Sequence, residues 1–132
     1  MTQDTQTRTP FEWIGGEGKV QQLVERFYDL MDLEPAYAEL RQAHGTDLVR
    51  ARQNLFWFLC GWLGGPPHYE SRFGHPRLRA RHMPFMIRSV ERDQWLACMD
   101  QAMGEVGIDE QLRARLKESF FQTADWMRNT PG

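Results

Sequence analysis

A chain of 132 residues is long enough to bury one core and too short for two. Hydrophobic residues at 41 %, charged residues at 26 % and a formal charge of −2 describe an ordinary soluble domain with no field to draw a nucleic acid. Residues 1–10 are polar, without the apolar core of a signal peptide or an anchor motif, and no later stretch approaches the roughly eighteen uninterrupted apolar residues of a membrane span. The expectation is a cytoplasmic protein with neither a membrane nor a nucleic acid as partner.

Residues 1–10, rich in Thr and Gln, read as a disordered tail, and 11–132 as a single domain beginning near Phe11. Phe11, Trp13 and Ile14 form a small apolar knot before the turn at Gly15-Gly16. Val20, Leu23, Val24, Phe27, Tyr28 and Met31 then recur at spacings of three and four, one face of a helix over 18–31. Asp32 and Pro35 interrupt it, and a short helical piece through Tyr37 and Leu40 ends at His44-Gly45. Thr46 or Asp47 can cap the next helix, whose apolar face is Leu48, Ala51, Leu55, Phe58, Leu59 and Trp62. Gly64-Gly65-Pro66-Pro67 stops that helix, and residues 66–73 read as a loop.

A helix from near Ser89 to Gly104 turns Trp95, Met99 and Ala102 or Met103 inward. Asp109 is the expected N-cap of a last helix with the stripe Leu112, Leu116, Phe120, Phe121, Ala124 and Met127. No stretch alternates like a strand, so the fold class is all-α. Periodicity alone leaves an up-and-down bundle and a globin-like sandwich equally open. Cys60 and Cys98 lie among apolar neighbours and read as buried free thiols. Five Trp and eight Phe suit a pocket for a flat ligand as well as a core.

Between these helices lies a basic segment, 74–87, with His82 near its end, Pro84 closing it and Phe85, Met86 and Ile87 next in the chain. A histidine beside a proline is usually only a helix end. An imidazole next to an apolar surface, with Arg77, Arg79 and Arg81 close by, is nevertheless what an axial haem ligand needs: a ring nitrogen for iron, apolar contacts for the porphyrin and cations for its propionates. Arg81 is the first propionate candidate, then Arg79 and Tyr69, with Leu78, Phe85 and Ile87 as apolar contacts.

Five motifs, in order and at their separations, tie these features together: Gly15-Gly16; Arg26-Phe27-Tyr28; Gly64-Gly65-Pro66; the run from Gly74-His75-Pro76-Arg77 through Arg81-His82-Met83-Pro84-Phe85; and Glu91-Arg92-Asp93-Gln94-Trp95-Leu96. On them the chain resembles a truncated haemoglobin of group II over nearly all its length. The resemblance implies a two-over-two helical sandwich around haem b, with His82 as proximal ligand, Tyr28 as the distal tyrosine and Trp95 as the tryptophan that marks the group. It places His44 at the variable aromatic position ending the short third helix, and Ala51 and Leu55 where other globins often carry His and Gln. The polar work of the pocket then falls to Tyr28, Trp95 and His44, with Leu55 and Phe58 as apolar wall.

The resemblance also implies a protein that binds oxygen, nitric oxide or carbon monoxide at a His-ligated iron. A pocket with such donors suits nitric oxide dioxygenation or peroxide reduction better than oxygen transport. The sequence shows no reductase or flavin motif, so turnover calls for an external, unknown reductase, and enzymatic activity stays open. The competing reading is a haem-free, all-helical interaction module whose aromatic stripes are core or partner surface.

Overall fold

Thr9 opens the fold. Its hydroxyl accepts from the Glu12 backbone N–H at 3.1 Å, and the Glu12 carboxylate accepts from the Thr9 N–H at 3.1 Å. This reciprocal cap starts helix α1, Pro10–Ile14, with proline at the position where a missing N–H costs nothing. In this computed structural model, which describes residues 8–45, 48–74 and 88–127, order therefore starts ahead of the expected Phe11. Gly15 and Gly16, at φ 117° and 84°, turn the chain through conformations that other residues adopt only with strain.

Helix α2, Glu17–Leu33, comes next and buries Val20, Leu23, Val24, Phe27, Leu30 and Met31 almost completely. A 3-10 turn, Pro35–Tyr37, leads into α3, Ala38–Ala43, which His44 caps. Helix α4 spans Leu48–Trp62; the expected caps Thr46 and Asp47 lie outside the described residues. At its far end the Phe11 N–H donates to the Leu63 carbonyl at 2.9 Å, and the Phe11 ring rests on Gly65, where an added Cβ would meet the ring at 2.5 Å.

The segment 66–73, expected as a loop, contains a helix, α5, over His68–Phe73. Its polar composition hides the period. The Ser71 hydroxyl donates to the Pro67 carbonyl at 2.9 Å and Arg72 to the His68 carbonyl at 3.0 Å. Ring contacts with α4 do the rest: His68 on Phe56, Tyr69 on Phe58 and Phe73 on Trp57, with centroids 6.2, 6.5 and 6.0 Å apart.

Helix α6, Ser89–Glu105, buries Cys98, Met99, Ala102 and Met103. Asp109 caps α7, Glu110–Met127, its carboxylate accepting from the Gln111 and Leu112 N–H groups at 3.1 Å each. Leu112, Leu116, Phe120 and Ala124 are buried as expected. Phe121 is not: it is 46 % exposed, one residue off the stripe, beneath the Arg92 guanidinium at 5.5 Å. The Met127 side chain lies outside the described residues.

Helices α2 and α4 form one packed pair, α6 and α7 the other, and α2 packs against α6 to join them. This is the two-over-two sandwich, and it excludes the up-and-down bundle. No described helix is long and apolar enough to cross a membrane. Cys60 and Cys98 are buried free thiols, pushed up by desolvation to about 11 and about 12, so both stay protonated.

Candidate functional site

Ala51, Leu55, Phe58 and Trp62 fall on one face of α4 by their spacing, and all four are only half-buried; the buried residues of that helix are Leu59 and Cys60. A chain of ring contacts leads from this face to the residues expected to be polar. Tyr69 meets Phe58 at 6.5 Å, Phe58 meets Trp62 at 6.4 Å, and Trp62 stacks on Phe120 at 4.7 Å. Phe120 meets Trp95 at 5.3 Å, Trp95 meets Phe27 at 5.3 Å, and Phe27 meets Tyr28 edge-on at 5.0 Å. Tyr28 in turn meets His44 edge-on at 5.8 Å. Tyr28, His44, Trp95, Phe58 and Tyr69, far apart in sequence, are thereby brought into one aromatic wall.

His44 is held by the helical turn before it. The His44 Nδ1 lies 2.9 Å from the Leu40 carbonyl, which places the ring proton on Nδ1 and orients the imidazole. Helix α3, which carries His44, is tied to the helix of Trp95: the Leu40 N–H donates to the Gln94 side-chain carbonyl at 3.0 Å, the Gln94 amide donates to Glu39 at 2.7 Å, and the Tyr37 hydroxyl donates to Gln101 at 2.6 Å. The helix of Trp95 is thereby fixed to α3 next to Trp95, through Gln94.

Tyr28 is 4 % exposed, and burial raises its phenol well above the usual tyrosine range against the opposing charge of Arg52, so it remains a donor at any physiological pH. Among the described residues, none hydrogen-bonds to the Tyr28 hydroxyl or to the Trp95 indole N–H. Buried donors are nearly always paired, so the buried Tyr28 hydroxyl and the partly buried Trp95 N–H, neither paired among the described residues, are suited to a ligand that accepts from them. The half-buried apolar face of α4 beside them fits one side of a porphyrin.

His82, Arg81, Arg79, Leu78, Phe85 and Ile87 lie outside the described residues. The point where the chain re-enters α6 is described. There the carboxylate of Glu91, 5 % exposed, accepts from the Arg88 backbone N–H at 2.8 Å and from its guanidinium at 3.1 and 2.5 Å. These bonds hold the Glu91 carboxyl below its ordinary range. A separate groove of about 440 Å³ between α6 and α7, lined by Leu96, Met99, Met103 and Phe121, shares only Phe120 with the aromatic wall.

The sequence reading missed Phe27, Trp62 and Phe120 as wall members. Their helical period marked them as core, and only the ring contacts show that they connect the polar residues. Arg52, whose guanidinium lies over Tyr28, had no sequence signal at all.

The model of the bacterial-like globin family matches residues 9–129. A group 2 truncated hemoglobin of Bacillus subtilis is 40 % identical over 91 % of this chain and 88 % of its own length. Among solved structures, the group II 2-on-2 hemoglobin of Agrobacterium tumefaciens is 39 % identical over the whole of both chains, with a TM-score of 0.91. The cold-adapted truncated hemoglobin of Pseudoalteromonas haloplanktis is 43 % identical, covering 93 % of this chain and 99 % of its own, with a TM-score of 0.89. None of these likenesses supports a haem-free interaction module. The chain belongs to the bacterial-like globins, as a group II truncated haemoglobin, a family that binds haem and, through it, oxygen and similar small ligands.

Proposed function

We propose that His82 holds haem b from the proximal side, that Arg81, Arg79 and Tyr69 receive its propionates, and that Leu78, Phe85 and Ile87 line its apolar face. Tyr28, Trp95 and His44 supply the polar side of the distal pocket, and Ala51, Leu55 and Phe58 its water-excluding wall. Haem iron, when bound, supplies the ligand-binding and redox chemistry. The chain's own contribution is the pair of donors on the wall, Tyr28 and Trp95, that no described residue engages, and this observation carries the reading.

A ligand that gathers negative charge on its outer atom, as oxygen does, accepts these hydrogen bonds at about 1.5–3 kcal/mol each, while carbon monoxide, a poor acceptor, gains little. A pocket that grips and polarises oxygen is suited to nitric oxide dioxygenation or peroxide reduction rather than to bulk transport. Electrons for turnover come from a separate reductase in the cytoplasm. The test combines spectra with chemistry. Purified protein given haem should show a Soret band that His82→Ala loses, and the ferrous, oxygen-saturated protein mixed with nitric oxide should yield nitrate and ferric protein. An unchanged Soret band in His82→Ala removes the proximal assignment, and absence of nitrate removes the dioxygenase reading.

A further inference from the structure

Arg52 stands next to Ala51 on α4, flanking the pocket face rather than lying in it. Its guanidinium crosses to α2. Nη1 donates to the Glu25 carboxylate at 2.6 Å and to the Glu25 backbone carbonyl at 3.2 Å, while Nη2 donates to the Asp29 carboxylate at 2.9 Å. Residues 25, 28 and 29 share one stripe of α2, so the fork brackets the helical turn that carries Tyr28. The guanidinium carbon lies 5.7 Å from the centroid of the Tyr28 ring, within cation–π range.

The Arg52 side chain is 23 % exposed, whereas the two carboxylates holding it are each 47 % exposed. The anionic ends are solvated and the cation is turned toward the ring. Ion pairs with half-solvated carboxylates add little stability on their own, so fastening α2 to α4 is a weak reason for three convergent bonds. Their geometric effect is larger: a planar fork that engages a backbone carbonyl and two side chains fixes the rotation of one turn relative to the neighbouring helix. Tyr28 sits in that turn.

We propose that Arg52 is a positioning residue for the distal donor: it clamps the turn from Glu25 to Asp29 so that the Tyr28 hydroxyl faces the pocket, and its charge beside the ring strengthens that hydroxyl as a donor. The inference deepens the proposed distal pocket and rests on it. Lysine keeps the charge but lacks the fork, so position and charge are separable by substitution.

A double-mutant cycle on the haem-loaded protein tests it, with Arg52→Gln and Tyr28→Phe alone and combined. The readouts are the oxygen dissociation rate and the C–O stretching band of the carbon monoxide form, which senses the distal field without any turnover. Arg52→Gln should speed oxygen release about two- to fivefold and shift the band, while the same change in the Tyr28→Phe background should do neither. Arg52→Lys should fall between parent and Arg52→Gln. Equal effects of Arg52→Gln in both backgrounds, or no effect of Arg52→Gln where Tyr28→Phe has one, would overturn the inference and leave the pocket reading standing. A Tyr28→Phe variant identical to the parent in both readouts would instead remove Tyr28 from the pocket, and the inference with it. If Arg52→Gln does not fold, Asp29→Asn, which loosens the fork and leaves the arginine, runs the same cycle.

Discussion

Helices α2 and α4 carry apolar residues at the same three-and-four spacing and put them to different uses. On α2, Val20, Leu23, Val24, Phe27, Leu30 and Met31 are at most 1 % exposed, because the helix is packed between α4 and α6. On α4, only Leu59 and Cys60 reach that depth, while Ala51, Leu55, Phe58 and Trp62 stay half-buried along the aromatic wall. A period in sequence shows that a helix has an apolar face and does not show what covers it. The first face is closed by protein; the second fits a flat, apolar group.

The sharpest way to break this comparison is to truncate one ring on each helix. Phe27→Ala should cost about 3–5 kcal/mol, the range for removing a fully buried aromatic side chain. Phe58→Ala should cost clearly less in the haem-free protein, and its penalty should grow when haem is present, because the proposed pocket places the half-buried Phe58 against haem and leaves Phe27 packed in protein. Urea titrations of both variants with and without haem measure this. Equal penalties in the haem-free protein would mean that the α4 face is ordinary core.

A smaller effect sharpens the boundary between core and pocket. Glu91 is a buried carboxylate where the chain re-enters α6, and its pairing with Arg88 lowers its pKa in the folded state. A lowered folded pKa stabilises the protein above the ordinary carboxylate range, around pH 4.3, and that contribution is lost as the pH falls through this range and below it. Glu91→Gln should therefore lose about 1–3 kcal/mol near neutral pH and show a shallower loss in acid than the parent. Urea midpoints from neutral pH down to about pH 3 test this, and parallel acid profiles for the two proteins would contradict it.

Much of the fold was legible because it rests on local chemistry. Asp109 caps its helix through its carboxylate, Gly15 and Gly16 turn at positive φ, and four helices keep to their apolar period. Helix α5 was hidden because its stability comes from rings on α4 rather than from its own polar residues. Phe121 was misplaced because two adjacent phenylalanines cannot both lie on one stripe, and the spacing of four through Leu112, Leu116, Phe120 and Ala124 turns Phe121 outward. Of the candidate site, the resemblance pointed to Tyr28, Trp95 and His44, and ring contacts connect these three. Arg52 stayed invisible because its meaning lies in contacts across 27 and 23 residues with two carboxylates on another helix.

Oxygen release from Trp95→Phe is the most direct measurement of the distal wall. The substitution keeps an aromatic ring in contact with Phe27 and Phe120, so stability should change by less than about 1.5 kcal/mol. It removes the indole N–H, a donor worth about 1.5–3 kcal/mol to a ligand with negative charge. Stopped-flow displacement of oxygen by carbon monoxide should therefore show release accelerated roughly ten- to hundredfold, with carbon monoxide release changed far less. An oxygen off-rate equal to the parent's would make Trp95 a mere wall of the pocket and contradict the reading of its indole N–H as a ligand donor.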